Sequence, residues 1–152
     1  QARLVLAGQG DLGRVWRGPL PPGVEVRARL IEDEEALDLF SRCGVVVLPY
    51  RDATQSALVA AAYFFRKPVI VTRTGALPEY VEPGETGWVV EPSDAEGLAR
   101  GLEEALADPA RRARMGAAGR AWVERERVRE QETLAALYAS LAGRASSLET
   151  CR

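Results

Sequence analysis

The sequence predicts an α/β fold with a doubly wound parallel sheet and carboxyl-terminal helices, and three observations carry that expectation. Short apolar runs alternate with helical patterns as far as Pro92, the run "GVVVLPY" is apolar throughout, and a strand, a helix and a second strand then follow at crossover spacing. A strand covered by helices on both faces needs such an uninterrupted apolar run. A right-handed parallel crossover is the connection that this spacing implies. With 152 residues and 47% hydrophobic content, the chain suits one domain around one core.

Taken in order, "RLVLAG" from Arg3 to Gly8 reads as a strand ending in a glycine turn, and "VEVRARL" from Val24 alternates as an edge-type strand does. The segment "DEEALDLFSRC" places Ala36, Leu37, Leu39 and Phe40 on one helical face and its acids in the first turn, where the dipole favours them. The apolar strand from Val45 comes next. A helix is predicted from about Thr54 to Arg66, capped by Asp52 or Thr54, and Pro68 forces the chain out into the strand "PVIVT". Up to Pro92 there follow a glycine loop, a short helix, a tight turn and one more strand. Ser93 is expected to cap "DAEGLARGLEEALAD", where Leu98, Leu102 and Leu106 recur every four residues. Pro109 is expected to open a separate helix, and a last one runs from about Gly119 to Leu141. Trp122, Leu134, Leu137, Tyr138 and Leu141 form its expected buried side. Its charged middle, "VERERVREQE", reads as a solvated face with intrahelical ion pairs, or as a face that rests on another domain. The domain is thus drawn over residues 1–142, with "GRASSLETCR" at 143–152 as a disordered or non-native tail.

Composition excludes several functions. The net charge of −2, with arginines interspersed among acids, offers no basic field for nucleic acid. The longest apolar stretches, Val45 to Pro49 and Ala57 to Phe65, fall well short of the roughly 20 residues a membrane span needs. With no signal peptide at its start, the chain is expected to be cytoplasmic. Cys43 and Cys151 lie far apart, so neither a disulfide nor a metal ligand set is expected. The absence of histidine removes Ser-His and Cys-His nucleophile systems and most zinc sites.

In an open parallel sheet, ligands sit beyond the carboxyl ends of the strands, near the point where strand order reverses. Four segments deliver their ends there: Ala7 to Gly10, Arg29 with Leu30, Pro49 to Ala57, and Thr72 to Ala76. Small residues let backbone N–H groups approach an anion, and the helix opening near Thr54 turns its positive end into the same space. Thr54, Gln55 and Ser56 are the candidates for gripping a pyrophosphate or a sugar hydroxyl, although a hydroxyl there also serves as a plain helix cap. Arg51 and Arg73 either add charge or stand solvated at loop tips. Glu79 is either a site carboxylate or an ordinary residue of the short helix. Between Asp52 and Glu79 no acid occurs.

The stretch from Leu48 to Leu106 resembles the carboxyl-terminal domain of GT-B glycosyltransferases of family 4, the group 1 glycosyl transferases. The matching residues are Lys67-Pro68-Val69-Ile70, Gly75 to Glu79, Gly84-Glu85-Thr86-Gly87 and Asp94, and the likeness extends over about residues 3–142. It implies a Rossmann-like half of a GT-B fold that binds a nucleotide-sugar donor. It also implies transfer with retention to an acceptor held by an amino-terminal domain, with no cofactor or metal. Alignment back from Lys67-Pro68 puts Ala53 and Ala61 where the family often has two glutamates, one for the donor sugar and one for the ribose. The likeness then passes donor contacts to Gln55 and Ser56 with the N–H groups of Ala57 and Leu58, and to Arg29.

In the family this domain opens with a strand and helix, lying before "LVLAGQG", that carry an Arg and a Lys for the donor pyrophosphate. The resemblance therefore implies an open central position between the strand at Leu4 and the strand at Val45. Either those strands close up, or another chain fills the gap in a dimer or swapped assembly. The expected partners are a nucleotide sugar and either the amino-terminal domain or a second copy of the chain. The expected function is donor binding for glycosyl transfer, inactive in the isolated chain. The alternatives are a non-catalytic interaction or oligomerisation module, and part of a nucleotide-sugar epimerase.

Overall fold

The computed structural model describes residues 2–11, 13 and 16–149. Five strands and four helices follow in the order β1 (Leu4–Gly8), β2 (Val24–Ala28), α1 (Asp33–Arg42), β3 (Val46–Leu48), α2 (Ala57–Phe64), β4 (Val69–Thr72), β5 (Gly87–Val90), α3 (Ala95–Ala107) and α4 (Pro109–Glu149). A 3-10 turn, Leu77–Tyr80, joins β4 to β5. The α/β class is as the sequence indicates, and every ladder is parallel.

The sheet is divided. β1 pairs with β2 in one piece, and β3, β4 and β5 pair in that order in another. Of the two expected outcomes, closing of β1 onto β3 does not occur: among the described residues no ladder joins them.

The core belongs to the larger piece. β4 is buried along its whole length, with Val69 and Val71 on one face against Val59, Ala62 and Tyr63 of α2. On the other face Ile70 meets Trp88, Ala105 and Met115. α2 reads "ALVAAAYF", apolar on every side, which suits a helix sandwiched between a sheet and another helix. α4 closes both cores, with Met115 in one and Trp122 against the other. The Trp122 indole meets both Tyr63 and Tyr80 edge-on, at 6.0 Å from each ring.

Several expected boundaries move. α2 starts at Ala57, three residues after Thr54, and its cap is neither Asp52 nor Thr54 but Ser56, whose Oγ accepts from the Leu58 amide at 3.3 Å. Asp94, not Ser93, caps α3 by accepting from the Gly97 amide at 2.8 Å, and Ser93 takes a positive φ of 61° in the turn before it. The helix at Pro109 and the helix at Gly119 are one. Asp108 starts it, accepting from the Arg111 amide at 2.8 Å, and the ladder then runs without a break to Glu149, past the expected boundary at residue 142. Residues 150–152, Cys151 among them, lie outside the described residues.

At ~1.5 Å per residue α4 is about 60 Å long, more than the body beneath it can cover. Trp122 is half-buried, but Leu134, Leu137 and Leu141 are each 52% exposed and Tyr138 is 69% exposed. Their expected burial is therefore overturned, since no described element reaches that far along the helix. Leu37 of α1 is likewise 54% exposed, while Ala36, Leu39 and Phe40 are half-buried. No described helix is long and apolar enough to cross a membrane.

Candidate functional site

The carboxyl ends of β3 and β4 lie side by side, and the loops leaving them are fastened to each other. Thr72, the last residue of β4, donates its hydroxyl to the Tyr50 carbonyl at 2.6 Å. One step on, the Ala76 amide donates to the Thr54 carbonyl at 2.9 Å. Gly75 sits at φ 50°, with the Ala53 and Thr54 carbonyls so close that a Cβ would collide with the Ala53 oxygen. Only glycine satisfies both the left-handed backbone and that approach. The glycine of "TRTG" thus clamps residues 53–54 into one position.

This clamp presents the start of α2. Ser56 is half-buried, with its Oγ 3.4 Å from the Tyr50 hydroxyl, while Thr54 and Gln55 are exposed on the lip. Neither the Thr54 nor the Gln55 side chain hydrogen-bonds another described residue. The two amides expected to face a ligand divide: Leu58 N–H is held by Ser56 Oγ, whereas Ala57 N–H has no acceptor among the described residues. The first turn of α2 carries no acid, so nothing offsets the helix's partial positive charge there. Ala53 is half-buried against the core and Ala61 is half-buried in mid-helix.

Arg29 stands apart from this group. Just beyond β2, its guanidinium grips Glu35 of α1 through both carboxylate oxygens, at 2.6 and 2.8 Å, and also donates to the Leu30 carbonyl. Arg27 donates to the same carboxylate at 2.8 Å. Arg29 first and Arg27 second therefore hold the Glu35 carboxyl below its ordinary range. No contact among the described residues links Arg29 to residues 54–58. Arg73 is also engaged, pairing with Glu91 at 2.7 Å on an exposed rim. Arg51 and Glu79 are both exposed, with the Glu79 amide bound to the Ala76 carbonyl.

Sequence reasoning overlooked Tyr50 and Thr72 as the pair that anchors the loop. Their signal was faint: a polar residue closing each of two adjacent apolar strands. No three His, Cys, Asp or Glu residues gather as a metal site among the described residues. The arrangement offers hydroxyl, amide and helix-end contacts to a polar or anionic ligand.

Residues 1–108 match the family model described as Glycosyl transferases group 1. The chain belongs to this family. Among curated relatives, this group 1 glycosyl transferase is 58% identical over 59 residues to a GDP-mannose-dependent monoacylated alpha-(1-6)-phosphatidylinositol monomannoside mannosyltransferase of Corynebacterium glutamicum, a match covering 39% of the chain and 15% of the relative. The carboxyl-terminal domain of a group 1 family glycosyl transferase (LpcC) from Francisella tularensis aligns at TM-score 0.62 and 22% identity, over 67% of this chain and 52% of that one. Anabaena HepE, solved in complex with UDP and glucose, aligns at TM-score 0.70 and 19% identity, over 91% of this chain and 40% of that one. The group 1 glycosyl transferase described here thus shares the GT-B Rossmann-like fold, and it spans well under two thirds of each of these proteins.

Proposed function

We propose that this domain binds the nucleotide-sugar donor of a retaining glycosyltransferase and holds it for transfer to an acceptor bound by another part of the protein. One observation carries the reading. The lip at Thr54-Gln55, with the Ala57 amide that lacks an acceptor among the described residues behind it, is fixed in place by Gly75 and Thr72 while the Thr54 and Gln55 side chains stay unspent. Such a preorganised set at the strand ends of an α/β sheet suits a phosphate or a sugar hydroxyl. The mannosyltransferase relative, described as GDP-mannose-dependent, makes GDP-mannose the first donor to try.

In this reading Gln55 and Thr54 contact the donor directly, Ser56 shapes the helix end, and the Ala57 amide meets an anionic oxygen. Arg29 serves the donor only after release from Glu35. With alanine at position 53 before α2 and at position 61 within it, no carboxylate grips the sugar or ribose from this segment, so the isolated chain binds weakly and transfers nothing. No metal or cofactor is invoked.

Calorimetric titration with GDP-mannose, UDP-glucose, GDP and UDP tests this. Binding of at least one at millimolar concentration or tighter is the expected result. If all four fail to bind, the donor reading is lost, and a non-catalytic interaction module becomes the better account of Ala53 and Ala61.

A further inference from the structure

Five charged side chains form one run of ion pairs over the β1–β2 piece and the first turn of α1. Arg3 pairs with Glu25, Arg27 bridges Glu25 at 2.7 Å and Glu35 at 2.8 Å, and Arg29 ends the run on Glu35. Three cations share two carboxylates, so the run keeps a surplus positive charge. Its open end is Arg29, whose side chain is 57% exposed against 26% for Arg27 and 17% for Glu35.

The two arginines on Glu35 are not equivalent. Arg27 donates to Glu25 through Nε and to Glu35 through Nη1, so its departure would loosen both carboxylates. Arg29 holds one carboxylate, together with the neighbouring Leu30 carbonyl. When Arg29 turns away, Glu35 keeps Arg27 and no half-buried charge is left without a partner. Arg29 is the exchangeable member.

Its place in the fold gives the exchange a use. α1 starts at the carboxyl end of β2, where Glu35 meets Arg27 and Arg29. It ends beside the residues that lead into β4, where the Ser41 carbonyl accepts from Lys67 Nζ at 2.8 Å and Phe40 stacks on Phe65 at 5.8 Å. A helix running from the carboxyl end of one strand to the amino end of another sets both strands pointing the same way. Arg29 therefore stands at the same end of the fold as the Thr54–Ser56 lip.

We propose that the Arg29–Glu35 pair is a latch on the donor site, from which a nucleoside diphosphate takes the guanidinium by offering its phosphate oxygens in place of the carboxylate. The inference rests on the donor reading above and adds a control to it. A diphosphate presents the same two-point geometry as the carboxylate with more negative charge, and the first turn of α2 brings no acid to oppose it. An exposed ion pair is weak, so holding Arg29 back lowers nucleotide affinity only about three- to fivefold. A latch of that strength is one the ligand can open.

Calorimetry with GDP and with UDP tests this on the parent chain, Glu35→Gln, Glu35→Asp, Arg29→Ala and the double variant Arg29→Ala/Glu35→Gln. Glu35→Asp keeps the negative charge but, one methylene shorter, loses the two-oxygen grip on Arg29. Both Glu35 variants are expected to bind the nucleotide about three- to fivefold more tightly than the parent. Arg29→Ala is expected to bind about tenfold more weakly, and the double variant no more tightly than Arg29→Ala. Unchanged affinity in both Glu35 variants, or in Arg29→Ala, would overturn the latch while leaving the donor reading in place. So would a gain from Glu35→Gln that persists without Arg29, since the lost charge alone would then explain it. If neither the parent nor the Glu35 variants bind, the donor reading and the latch fall together; if only the Glu35 variants bind, both stand.

Discussion

The hydroxyl of Tyr63 donates to Thr86 Oγ1 at 2.8 Å in the middle of the core, joining α2 to the turn that leads into β5. It also lies 3.1 Å from the Tyr80 carbonyl, and Thr86 Oγ1 accepts in turn from the Glu82 amide at 2.9 Å. Burial pushes the Tyr63 hydroxyl up to about 12, only partly opposed by the Thr86 hydrogen bond. In the unfolded chain the group titrates near 10. Its folded value is the higher, so the stabilising contribution is intact below about pH 10 and is lost as pH climbs toward about 12. Tyr63→Phe is expected to cost about 1–2 kcal/mol at pH 7, from the lost donor and the partners left behind. Between pH 10 and 12 the variant should lose less further stability than the parent, by roughly 2–3 kcal/mol at the upper end. Urea unfolding across that range measures it, and parallel curves for the two proteins would refute the assignment.

Gly119 lies in the α4 face that presses on α2, where a Cβ would collide with the Tyr63 ring. An exposed helical Gly→Ala change ordinarily stabilises by about 1 kcal/mol. Here Gly119→Ala is expected to destabilise by about 1–3 kcal/mol through overpacking. A rise in the thermal midpoint would show that the α2–α4 contact is looser than described.

Arg66 ends α2 with φ at 55°, a left-handed conformation that glycine adopts without strain. The Lys67 amide reaches back to the Ala62 carbonyl at 2.9 Å, so the conformation is locked by the helix-end hydrogen bond. Arg66→Gly is expected to stabilise the fold by about 0.5–1 kcal/mol in chemical denaturation. A loss of stability would mean that the arginine side chain contributes more than its backbone costs.

Two neighbouring substitutions separate binding from capping. Ser56→Ala removes the α2 cap and should lower stability by about 1 kcal/mol. Gln55→Ala removes an exposed side chain with no intrachain partner, so stability should stay within about 0.5 kcal/mol while donor affinity falls roughly tenfold. Equal affinity of Gln55→Ala and parent for the same nucleotide sugar would take Gln55 out of the site.

Much of this molecule was legible residue by residue. The uniform apolar run of β3, the Lys67-Pro68 exit into β4 and the acids opening α1 act through local period and local sterics, which a sequence displays directly. They were enough for the fold class and the family. The candidate site was legible only in outline: the sequence pointed to Thr54 to Leu58 and to Arg29, but in the structure Leu58 N–H is spent on the Ser56 cap, and Arg29 is spent on Glu35. Both facts depend on partners that nothing in the neighbouring sequence announces.

By itself, then, the sequence determined the α/β class and the order of strands and helices up to β5, and that small polar residues gather at the ends of β3 and β4. Tertiary structure decided the rest: Ser56 over Thr54 as the cap, one α4 in place of two helices, the exposure of Leu134 to Leu141, and a sheet left in two pieces. The physical reason is range. Propensity, capping chemistry and hydrophobic period act over a few residues, whereas burial and strand pairing depend on which surfaces meet across the fold.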